Sequence, residues 1–154
     1  MRLYVDANVL VRLYLSSEGS EARSLVMSAE CRRAWPLPVT SLLRCEIGNA
    51  IQRMAYESHH GSAFRFTREG AAASWGEFTQ HLDEGEFLKN IALTIEQIVD
   101  DFERLVARHT AKHGFRTYDI LHVASALHLG CDTFWSFDAK ALKLARLEGL
   151  KTNR

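Results

Sequence analysis

Leu3-Tyr4-Val5 is an apolar run that ends directly in an aspartate, Asp6, with an asparagine, Asn8, two residues further on. The run shows no alternation, which predicts a strand covered on both faces, as in a parallel sheet. A carboxylate at the end of such a strand is costly unless something uses it. Any fold available to this chain must therefore place Asp6 where its charge is compensated.

The rest of the chain supplies a scaffold of alternating strands and helices. Val9 to Leu15 continues apolar as a short helix, and Ser20 is a candidate N-cap for a helix over about 21–33, with Ala22, Leu25, Val26 and Ala29 inward. Trp35 to Val39, carrying two prolines, reads as a short strand at an edge or at its own start. Ser41 is the expected cap of a helix over 42–57, and Thr67 of a second long helix to about Asp83 with Ala72, Trp75 and Phe78 inward. The pair forms a helical hairpin between sheet elements. A short strand is expected within 87–93. Thr94-Ile95-Glu96-Gln97 matches a capping box, opening a helix that ends at Gly114. Thr117 is the expected cap of a helix over 118–129, and 132–137 is the second clear strand. Asp138 caps a helix over 139–148, and a last short strand is expected at 150–152. Such alternation predicts an α/β fold with a mostly parallel sheet.

At 154 residues, 47% hydrophobic and 25% charged, the chain suits one domain over residues 1–154 with a full core, and a disordered chain is excluded. No apolar run is long enough for a bilayer and no secretory pattern opens the chain, so the expected location is cytoplasmic with no membrane partner. Lys+Arg and Asp+Glu balance at 19 each, so binding a nucleic acid would need a local basic surface or a metal. Cys31, Cys45 and Cys131 are scattered singly, and the expectation is three small buried hydrophobes.

Four acids stand out by their apolar settings: Asp6 after its strand, Glu46 in Leu43-Arg44-Cys45-Glu46-Ile47, Asp119 in Tyr118-Asp119-Ile120-Leu121, and Asp138 in Ser136-Phe137-Asp138. In open α/β sheets ligands sit beyond the carboxyl ends of the strands, and helices antiparallel to those strands present their N-termini at the same rim. By that placement all four face one cavity. Ionised carboxylates share a small pocket only with a neutralising cation, and oxygen ligands favour Mg²⁺ or Mn²⁺, which can activate water for attack on a phosphodiester. Asn8 would orient Asp6, and Arg116, three residues before Asp119, is the best candidate for a phosphate contact. Each residue also has a plainer reading: Asp119 and Asp138 as helix N-terminal acids, Glu46 paired with Arg44 or Arg53, Asn8 as a turn-former. His122, one turn from Asp119, either hydrogen-bonds near the site or is a satisfied, partly buried histidine. His109 and His113, four apart, read as exposed surface residues. Trp35, Tyr56, Phe64, Phe66 and Trp75 gather around the hairpin, mostly as core.

At these residues the chain resembles the PIN-domain proteins, most closely the VapC-type toxins of toxin–antitoxin pairs. The similarity covers essentially the whole chain: Tyr4-Val5-Asp6-Ala7-Asn8-Val9-Leu10-Val11 for the first acid, Glu46 for the second, Arg116 to Ala124 for the third and Phe137 to Leu142 for the fourth. Ala7 departs from the Ser or Thr common there. The resemblance implies a three-layer α/β/α fold, metal-dependent endoribonuclease activity on RNA, a homodimer, and an antitoxin that blocks the site. Two alternatives stay open: a non-catalytic PIN-like binding module, and a Mg²⁺-dependent phosphatase with Asp6 as nucleophile.

Overall fold

The computed structural model describes residues 1–15, 20–61 and 65–153. Among the described residues, five short strands are all paired in parallel. β1 (Leu3–Val5) pairs with β4 (Thr133–Trp135), Tyr4 facing Phe134, and β4 also pairs with β5 (Lys151–Thr152). β2 (Leu37–Thr40) pairs with β3 (Leu88–Ile91) in a separate ladder, and β2 lies against β1. All three residues of β1 and of β4 are buried, which is why neither strand alternates. β3 exposes Lys89 and Asn90, as an edge strand does. Among the described residues, β2 has a ladder partner only on its β3 side. Pro38, with no N–H to give, sits within it, so the edge reading holds in hydrogen-bond terms although β1 is adjacent.

Helices form the outer layers. α1 (Ala7–Leu15) follows β1, and α2 (Glu21–Val26) and α3 (Ala29–Arg32) follow α1. Between β2 and β3 come α4 (Ser41–His59) and α5 (Arg68–Glu84), packed on each other and on α1. α6 (Ile95–Leu105) continues through a π-helical turn (Val106–Thr110) into α7 (Ala111–His113). α8 (Thr117–His128) packs against α6 and against α9 (Ala139–Leu147). One helical group comes from the β1–β3 half of the chain and the other from the residues after β3. This is the expected α/β arrangement with a parallel sheet and inserted hairpin, consistent with three layers.

Local chemistry moved several boundaries. The helix expected over 21–33 breaks at Met27–Ser28, because the Ser28 hydroxyl accepts the Cys31 N–H and starts a new helix; Ala29 is exposed. Thr40, not Ser41, caps α4, its hydroxyl accepting the Leu43 N–H. The inward residues of α5 are Ala71, Ser74, Phe78 and Leu82, while Ala72 is exposed and Trp75 half-buried. α8 begins at Thr117 itself, with Asp119 accepting the Arg116 N–H. The expected caps Ser20, Thr67 and Asp138 accept the N–H groups of Arg23, Gly70 and Lys140. Gln97 accepts the Thr94 N–H, the reciprocal half of the expected box. Of the cysteines, Cys31 is buried, Cys131 half-buried and Cys45 exposed, the last against expectation because it lies on the outer side of α4. Phe64 lies outside the described residues.

His109 also departs from expectation. It is buried in the π-helical turn, and its Nε2 lies 2.6 Å from Glu148. Arg104 and Arg108 also reach Glu148, at 2.9 and 3.1 Å. Burial alone would oppose ionisation of Glu148, but the hydrogen bonds from His109 and Arg104 and the charge of Arg108 hold its carboxyl below the usual range. A lowered folded-state value means that this stabilisation is complete above the unfolded glutamate value and is lost as pH falls through the folded one. Glu148→Gln is therefore expected to cost about 2 kcal/mol at pH 7. The deficit should close toward pH 3, as read from denaturant melts, and a pH-independent difference would contradict this account.

Candidate functional site

β1 and β4 end side by side, and their carboxyl ends open onto a cleft of about 1090 Å³. Asp6, Asn8, Glu46, Arg116, Asp119, His122 and Asp138 all line it. The four acids expected at one rim thus share one cleft, although they come from β1, α4, α8 and the start of α9.

Asp6 is buried, and its position is fixed on one oxygen. Oδ2 accepts from the Ser136 hydroxyl at 2.7 Å and from the Asn8 amide at 2.7 Å. Asn8 also donates to Ser136 Oγ, and its own carbonyl accepts the Phe137 N–H at 2.9 Å. Ser136 Oγ in turn accepts the Asp138 N–H. Side chains thus take over from the backbone ladder here: the strand expected to reach Phe137 stops at Trp135 because the Ser136 N–H goes to Asn153 and the Phe137 N–H to Asn8. Desolvation raises the Asp6 pKa above its ordinary value, with the neighbouring His122 and the Ser136 hydrogen bond opposing it.

The acids are held in two pairs, one around His122 in the middle of α8 and one around Arg116 at its N-cap. Glu46 contacts His122 Nε2, and Asp6 Oδ1 lies 3.7 Å from the same nitrogen. The other ring nitrogen, Nδ1, is 3.0 Å from the hydroxyl of Tyr4, which is wholly buried. Burial disfavours the charged imidazole, yet the Glu46 hydrogen bond and the charges of Asp6, Glu46 and Asp119 raise the His122 pKa. In the second pair, Arg116 bonds both oxygens of Asp119 at 2.9 and 3.1 Å and reaches Asp138 at 2.6 Å. Asp138 also accepts the N–H groups of Lys140 and Ala141, and these contacts with Arg116 outweigh its partial burial and lower its pKa. Asp119 and Asp138 therefore do serve as helix N-terminal acids, in addition to lining the cleft. Glu46 pairs with His122 rather than with Arg44 or Arg53.

Ser136 and Tyr4 are not among the expected site residues, and His122 gains a definite place only through these contacts. The signal for His122 was its spacing, one turn after Asp119 on an otherwise apolar helix. The signal for Ser136 was its place two residues before Asp138. Away from the acids the cleft continues past Arg12, Arg53 and Arg65 to Phe66, a local basic surface on a chain of zero formal charge. Of the aromatic residues near the hairpin, Phe66 alone lines this cleft among the described residues; Trp35 packs on Phe87 and Trp75 on Phe78.

The donors suit a divalent cation. One oxygen each from Asp6 and Glu46 and a nitrogen of His122 lie within 4.8 Å of one another. Ligands about 2.2 Å from a shared ion are at most about 4.4 Å apart, so only small adjustments are needed. No helix among the described residues is long and apolar enough to cross a membrane. No curated protein matches the sequence. The sequence model of the PIN domain, a family whose members are generally metal-dependent nucleases, matches residues 3–147. The parallel fold, the acids at the strand ends and this match over nearly the whole chain lead to one conclusion: the chain belongs to the PIN domain family.

Proposed function

We propose that this chain is a metal-dependent endoribonuclease that hydrolyses RNA phosphodiesters and serves as the toxin of a toxin–antitoxin pair. The observation that carries the reading is the meeting of Asp6, Glu46, Asp119 and Asp138 in one cleft at the ends of β1 and β4. These residues would hold Mg²⁺ or Mn²⁺, directly or through water. When bound, the cation supplies a water nucleophile at neutral pH and a counter-charge for the phosphodiester transition state. Asn8 and Ser136 keep the Asp6 carboxylate in one orientation, which spares the site reorganisation during reaction. Arg116, more than half exposed at the rim, would pair with a backbone phosphate, and Arg12, Arg53 and Arg65 would extend the track for the strand.

The resemblance to VapC-type toxins supports the remaining parts of the reading: a homodimer in the cytoplasm, and an antitoxin that occludes the cleft. One experiment addresses the activity and the pairing. Purified chain with Mn²⁺ is expected to cut RNA, and co-expression with the protein of the neighbouring reading frame is expected to suppress the cutting. Asp119→Asn should lose cleavage by on the order of 10³-fold. Full activity in that variant would remove the metal mechanism, and trapping of a phospho-aspartate at Asp6 would favour the phosphatase alternative.

A further inference from the structure

We propose that His122 is itself a metal ligand, so that Asp6, Glu46 and His122 form a mixed oxygen and nitrogen site that prefers Mn²⁺ to Mg²⁺. The inference rests on the metal-dependent reading above and adds to it the ligand atom and the choice of ion. His122 is almost wholly buried, yet Nε2 points between the two carboxylates, touching Glu46 and standing 3.7 Å from Asp6 Oδ1. The Asp6 oxygen on that side is the one not taken by Asn8 and Ser136. Among the described residues, this is the cluster in which a ring nitrogen and two carboxylate oxygens from separate elements lie close enough to share one ion.

The opposite edge of the ring is built as a support. Nδ1 meets the Tyr4 hydroxyl, and Tyr4 also interacts with Thr40 and Ser125. For Nε2 to offer its lone pair, the ring proton must sit on Nδ1, where the Tyr4 oxygen can accept it. Ligating histidines are held in this way by a partner on the second nitrogen, which fixes both tautomer and orientation. Loading the ion breaks the Nε2–H bond, the electron pair goes to the metal and the proton to solvent. Mg²⁺ is held almost wholly by oxygen, whereas a first-row divalent transition ion also accepts an imidazole nitrogen, Mn²⁺ being the one among them that still favours carboxylate partners.

The test is pulsed electron paramagnetic resonance of Mn²⁺ on the full chain, with ordinary and with ¹⁵N-labelled histidine. His122 is the one histidine among the described residues that line the cleft. The wild type should show nitrogen coupling that changes with the isotope. In His122→Gln that coupling should vanish and Mn²⁺ should bind about 10-fold more weakly, with Mg²⁺ affinity changed far less, as measured by calorimetry. Mn²⁺ bound with no histidine coupling in the wild type would overturn this proposal and leave the carboxylate centre standing. Absence of Mn²⁺ binding at millimolar concentration would overturn both. Because the isotope exchange is read on the wild type, a poorly folding variant does not blunt the test.

Discussion

Asp6→Asn is expected to abolish RNA cleavage, by on the order of 10³-fold or more, while leaving the metal-free protein at least as stable as the wild type. The two halves of that expectation have one cause. Asp6 is buried at a strand end, and desolvation lifts its pKa. An acid that holds its proton more tightly in the folded state contributes most to stability below its unfolded value. That contribution falls as pH rises through the folded value. At neutral pH the ionised carboxylate therefore weakens the fold, and asparagine removes the charge while keeping an oxygen for Ser136 and Asn8. Melting curves of the two metal-free proteins should differ most near pH 7 and converge toward pH 4. Cleavage by Asp6→Asn at the wild-type rate would end the mechanism, and a large loss of stability would show that the carboxylate serves the fold rather than the reaction.

The largest expected loss of stability lies one layer beneath the site. Phe134 in β4 stacks on Tyr4 in β1, with ring centroids 5.7 Å apart and planes 6° from parallel, and both are fully buried. Phe134→Ala should cost about 3–5 kcal/mol, a large fraction of what a domain of this size possesses. The melting temperature should drop by on the order of 10 °C. The damage should also reach the cleft, since Tyr4 loses the surface that steadies its hydroxyl against His122. Phe134→Leu, which keeps most of the volume, should cost under about 1.5 kcal/mol. Equal effects of the two substitutions would mean that the β1–β4 stack is not the support described here.

The parallel strands, the hairpin and most helix starts could be read from the sequence because their signals are local. An unbroken apolar triplet before Asp6, a threonine three residues before Gly70 and a glutamine three after Thr94 each act within one turn of chain. The four acids were legible for the same reason, as charges set among apolar neighbours. What the sequence left open depends on contacts across the chain. His122 meets Glu46 from 76 positions away, and Asn8 reaches Ser136 across 128. His109 and Glu148 look like surface residues until α6 and the end of α9 are brought together. Periodicity places each residue on a face, but only packing decides which charge it meets there.

β2 has no backbone ladder to β1. Glu46 belongs to the helix that follows β2, whereas Asp6 ends β1 and His122 lies on α8, in the other half of the molecule. The contact between them therefore bridges a seam that strand pairing leaves open and that side chains close, by packing and by bonds such as that of Ser74 to the Tyr14 carbonyl. A cation held between Asp6 and Glu46 would act as a rivet across that seam, its affinity adding to the cohesion of the two ladders. Loading the cleft and tightening the sheet would then be one thermodynamic event, and resistance to unfolding would rise and fall with the concentration of the ion.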